Sequence, residues 1–83
     1  MSTMPVFLRE SGYRFRFFSS DRTEQPHVHV DGHGGSAKVW LVPGVTFEKA
    51  RAYDMRRQNE IEKIIIEHRD EWIAVWRRFF GER

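Results

Sequence analysis

The first half of the chain alternates apolar and polar side chains with a period of two, and the last third repeats apolar residues at helical spacing. Tyr13-Arg14-Phe15-Arg16-Phe17 is the cleanest alternating run. Val6-Phe7-Leu8-Arg9, His27-Val28-His29-Val30-Asp31 and Ala37-Lys38-Val39-Trp40-Leu41-Val42 follow the same rule. Each reads as a half-buried strand. Ser11-Gly12, Gly32-His33-Gly34-Gly35 and Pro43-Gly44 read as turns, and the polar segment Ser20 to Pro26 as a loop. Four short strands joined by tight turns imply an antiparallel meander. Val45 to Tyr53 supports two readings, a short fifth strand at Val45-Thr46-Phe47 or one to two helical turns over Phe47–Ala52.

From Asp54 onward the pattern is helical. Asp54 is the expected N-cap, because its carboxylate can accept the free amides of a first turn. Ile61, Ile64, Ile65, Trp72, Val75, Trp76 and Phe79 fall within an arc of roughly 120° when residues step by about 100°. His68 sits inside that stripe and reads as a core histidine. Gly81 is the expected stop. A continuous helix over 54–80 is one reading; a break near His68-Arg69-Asp70, with Asp70 as a second N-cap, is the other. The expected architecture is therefore α+β: a meander of four or five strands over residues 4–42, a linker or fifth strand over 43–53, and a C-terminal helix over 54–80 packed on one sheet face. All of it forms a single domain over 1–83.

Composition narrows the classes further. The 83 residues contain no cysteine, so a disulfide scaffold, a thiolate zinc site and a cysteine nucleophile are excluded. Seven Phe, three Trp and two Tyr give the chain enough to bury, which argues against disorder. The formal net charge of +2 permits nucleic-acid binding without arguing for it. The apolar runs Val6-Phe7-Leu8 and Ile64-Ile65-Ile66 fall far short of the ~20 residues of a membrane span. Met1 to Pro5 does not resemble a signal peptide, so no membrane contact and a cytoplasmic location are expected. A thin core makes a homodimer plausible, through the open sheet face or the projecting end of the helix.

Alternation sorts the strand residues onto two faces. Val6, Leu8, Tyr13, Phe15, Phe17, Val28, Val30, Ala37, Val39 and Leu41 form an apolar face for the helix to cover. Phe7, Arg9, Arg14, Arg16, Phe18, His27, His29, Asp31, Lys38 and Trp40 form the other, expected to be open. Cations interleaved with aromatics suit single-stranded nucleic acid, with Arg and Lys on phosphates and rings on bases. The candidate contact residues are Arg9, Arg14, Arg16, Phe18, Lys38 and Trp40. The same set suits a small protein partner, since exposed Trp and Arg are interface anchors.

His27 and His29 lie two apart on one strand and are expected to project together. Three readings stand side by side. As catalytic residues of a metal-independent ribonuclease, one takes the ribose 2′-hydroxyl proton and the other protonates the leaving oxygen, with Arg14, Arg16 and Lys38 holding the phosphate. As ligands of a divalent metal, His27 and His29 join Asp31 or His33. As plain surface residues, they bond to loop backbone or to Asp31.

Pro26-His27-Val28-His29-Val30 and Ala37-Lys38-Val39-Trp40-Leu41 resemble a small bacterial domain of unknown function, number 4160. Met4-Pro5, Gly12, Phe17-Phe18-Ser19, Trp76 and Phe79-Phe80 extend the resemblance over about residues 4–80; family members commonly begin at the Met-Pro, so the resemblance implies that residues 1–3 are an N-terminal extension. It differs at Gln25-Pro26, where the family often has two prolines. The resemblance implies a bacterial protein encoded beside another small gene, in a setting suspected to be toxin–antitoxin. It implies no catalytic residue.

Overall fold

Four of the strands form where alternation places them. In the computed structural model the strands are β1 (Thr3–Glu10), β2 (Tyr13–Phe18), β3 (His27–Gly32), β4 (Gly35–Trp40) and β5 (Thr46–Arg51), followed by one helix, α1 (Met55–Phe80). The structure describes residues 3–18 and 24–80, with side chains described for 8–17 and 24–80. The side chains of Val6, Phe7 and Phe18, much of the Ser20–Pro26 loop, and Gly81 lie outside these. The sheet is an antiparallel meander in the order β1-β2-β3-β4-β5. No helix among the described residues is long and apolar enough to cross a membrane.

The expected apolar face is the core face. Tyr13, Phe15, Phe17, Val28, Val30, Ala37, Val39 and Leu41 are buried, and Leu8 packs against them. From the helix come Ile61, Ile64, Ile65, Trp72, Ile73 and Trp76. Phe15 meets Trp72 and Phe17 meets Trp76, at ring separations of 5.5 and 4.9 Å. Each such buried side chain contributes about 1.5–3 kcal/mol by leaving water.

Two alternatives left open by the sequence are resolved and one expectation shifts, each for a physical reason. The segment 46–51 is a strand, because β4 would otherwise lose a pairing neighbour. It takes a bulge there: Lys38 pairs Lys49 while Val39 pairs Phe47, which leaves Glu48 as the extra residue. The helix is unbroken through His68-Arg69-Asp70. Arg69 holds that turn by donating to the carbonyls of Leu41 (2.6 Å) and Pro43 (3.1 Å), and Asp70 stays exposed. The stripe also shifts at its end. Ile73 is buried, Val75 only partly so, and Phe79 is 44% exposed. A 26-residue helix is about 39 Å long, whereas six-residue strands span about 20 Å, so its last turn outruns the sheet. Asp54 caps as expected, its Oδ1 accepting the Arg57 amide at 2.9 Å.

The start of the helix is pinned to the hairpin turns by the chain's two tyrosines. Tyr13 donates to Glu60 at 2.6 Å, and Arg57 donates to the Tyr13 oxygen at 3.4 Å. Tyr53 donates to the Gly32 carbonyl at 2.8 Å. Burial, and then the bond to Glu60, raise the Tyr13 phenol above its ordinary range. Burial, with Asp31 nearby, pushes Tyr53 up to about 12. Both phenols are favoured neutral in the fold. Their stabilising effect is complete below the ordinary tyrosine value near 10 and is lost as pH rises through the folded values. In a spectrophotometric titration Tyr53 should ionise near pH 12 and Tyr13 above its ordinary range, coincident with loss of tertiary structure. A midpoint at the ordinary value would contradict this packing.

Candidate functional site

The second face of the sheet carries the candidate residues in cross-strand rows, because paired residues in an antiparallel sheet point the same way. One row reads Arg9, Arg14, Asp31, Ser36, Arg51 across β1 to β5. The next reads Arg16, His29, Lys38, Lys49 across β2 to β5. Six cations therefore share one surface. Asp31, Glu24 and Glu48 oppose them, which leaves a local excess of three on a chain whose formal net charge is +2.

The carboxylates position the cations as well as screening them. Asp31 takes Arg14 at 2.6 Å on one oxygen and Arg16 at 3.4 Å on the other. Lys38 reaches Glu24 at 2.7 Å and Glu48 at 3.3 Å. The bond to Glu24 holds its ammonium above the ordinary lysine range. Lys38 also lies 4.9 Å over the half-buried Trp40 ring. Arg9, Lys49 and Arg51 are exposed. Two depressions run along this face and meet at Asp31. One, of ≈ 770 Å³, is bordered by Arg16, His29, Ser36, Lys38, Lys49 and Arg51. The other, of ≈ 460 Å³, lies between Arg9 and Arg14 and the glycines of the two hairpin turns.

The histidines divide. His29 borders the larger depression and is half-buried. The rings of His27 and His29 are adjacent, 5.1 Å apart. His27, however, is not open to solvent: it is fully buried. Its ring lies 5.2 Å from Trp40 and 5.2 Å from Trp76, because the end of the helix reaches this end of β3. Its Nδ1 donates to the Gln25 carbonyl at 2.8 Å, with Glu24 at 3.8 Å. The proposed metal set does not assemble. His33 turns toward Tyr13, 4.8 Å between rings, and donates from Nε2 to the Ser11 carbonyl. No group of three or more His, Cys, Asp or Glu among the described residues is placed to hold a metal ion. His68 is not a core residue either. It stacks on Trp72 at 5.1 Å, half-buried, with Glu10 and Glu71 each 3.6 Å away.

Sequence reasoning missed Lys49 and Arg51. Only the strand assignment of 46–51 places them beside Lys38 and Ser36, and their own spacing carried no signal for it.

The sequence model of a domain of unknown function, DUF4160, matches residues 12–77. No curated protein and no solved structure matches the chain.

Proposed function

The chain belongs to the DUF4160 family of domains of unknown function, and on that footing we propose that it binds single-stranded RNA along the open face of its sheet, without cleaving it. The observation that carries this reading is the pair of adjacent rows in which six cations and His29 outnumber their carboxylates. Guanidinium and ammonium groups at neighbouring strand positions suit a chain of phosphates. Trp40 and His29 offer ring faces beside them for unpaired bases. Cleavage by a histidine pair would need both imidazoles within reach of the ribose and the leaving oxygen. The burial of His27 against Trp40 and Trp76 favours a packing role for that residue.

Fluorescence anisotropy with labelled single-stranded RNA tests the proposal. Four phosphate contacts would give log K against log salt a slope of about −3. Replacing Arg9 and Arg51, at opposite ends of one row, should weaken binding about tenfold or more and reduce the slope to about −1.4. RNA length should be unchanged after incubation with wild type. Absence of binding at low salt, or an Arg9→Ala/Arg51→Ala variant that binds as wild type does, would refute the reading. Preference for an acidic protein over RNA would point to a protein interface on the same face.

A further inference from the structure

We infer that β5 pairs with β5 of a second copy of this chain, antiparallel about a two-fold axis, in the register that sets Glu48 of each copy opposite Lys49 of the other. β5 closes the sheet on one side, and five of its six side chains are exposed. Its sequence, Thr46-Phe47-Glu48-Lys49-Ala50-Arg51, is self-complementary in that register. Glu48 meets Lys49 twice by symmetry, Phe47 meets Ala50 twice, and Thr46 meets Arg51 twice.

In a regular strand this register is forbidden. Residues of odd and even number point to opposite sides, so each pair would face apart. The bulge removes the conflict. Thr46, Lys49 and Arg51 pair with Trp40, Lys38 and Ser36 on the open side. Glu48 reaches Lys38 on that side too, at 3.3 Å. Phe47 and Ala50 pair with Val39 and Ala37 on the core side. Every pair in the dimer then agrees in side. A lysine and a bulge on an edge strand ordinarily repel foreign strands. Here the same two features fit a copy of themselves, as an isologous contact requires. The two sheets join into one, and both basic faces stay on the same side. Self-association of this kind needs no nucleic acid, so it stands apart from the RNA reading.

Light scattering after size exclusion, over a range from about 10 μM to about 1 mM, tests it. Wild type should move from 10.0 kDa toward twice that mass. Glu48→Lys and Lys49→Glu each turn two attractions into two repulsions and should each weaken the dimer about tenfold. The double exchange, Glu48→Lys with Lys49→Glu, should restore it to within about threefold. Ala50→Glu, at an exposed position that leaves the Glu48–Lys38 pair intact, should abolish it. Circular dichroism verifies that each variant is folded. A wild type that stays at monomer mass throughout, a dimer indifferent to the single changes, or a double exchange no better than either single would overturn the proposal.

Discussion

Replacing Gly32 by alanine should remove a large share of the fold's stability, whereas the same change two residues on, at Gly34, should cost little. Gly32 has φ of +129°, where side chains are strained, and an added Cβ would lie 2.2 Å from the Gly12 carbonyl oxygen and 3.0 Å from the Tyr13 Cα. Both obstacles are backbone, so neither can swing away. Gly34 also has a positive φ, of +80°, but a Cβ there meets nothing within 4 Å. The close approach of the two hairpin turns at Gly32 also positions the Tyr53 hydroxyl, which donates to the Gly32 carbonyl, and Tyr13 beside it. We expect Gly32→Ala to lose about 3 kcal/mol or more and Gly34→Ala about 1 kcal/mol. A domain of this length has roughly 4–12 kcal/mol in total. Guanidinium denaturation midpoints report both, and a Gly32→Ala midpoint equal to that of Gly34→Ala would show that the turns do not meet as described.

The second large effect belongs to Trp76. Its ring lies against Phe17 at 4.9 Å, Phe80 at 4.5 Å and His27 at 5.2 Å, and it is 5% exposed. Trp76→Ala removes a ring packed between the end of the helix and the sheet and should cost about 3–5 kcal/mol. Trp76→Phe, which keeps a ring there, should cost about half as much. The loss should also uncover His27. Modification of that imidazole by an acylating reagent, slow in wild type, should become fast in whatever fraction of Trp76→Ala remains folded. Equal rates in the two proteins would mean that Trp76 does not cover His27.

Much of this architecture is legible in the sequence because burial and periodicity coincide. On β2, Tyr13, Phe15 and Phe17 alternate with Arg14 and Arg16, and the alternation is the sheet's two faces. Asp54 is legible as a cap because its reason is local. Three features are not local, and the sequence hides them. β5 is an edge strand whose Glu, Lys, Ala and Arg suit a helix as well as a strand, and its bulge breaks the period of two. The environment of His27 is set by Trp76, far along the chain, so its place on an alternating strand points the wrong way. Phe79 follows the helical period, yet the sheet ends before it. The candidate face was half legible for the same reason. Arg9, Arg14, Arg16, His29 and Lys38 follow from alternation in β1 to β4, while Lys49 and Arg51 join only through pairing with β4.

On the proposed function, RNA meets the face bearing the two basic rows and not the outer side of the helix. Both carry cations, since Arg56, Lys63, Arg77 and Arg78 are exposed on α1. A heteronuclear NMR titration of the labelled protein with single-stranded RNA separates them. Amide and side-chain shifts should concentrate at Arg16, His29, Lys38, Lys49 and Arg51 and leave Arg56, Lys63 and Arg77 in place. Shifts confined to the helix, or none on the sheet at saturation, would contradict the proposed function.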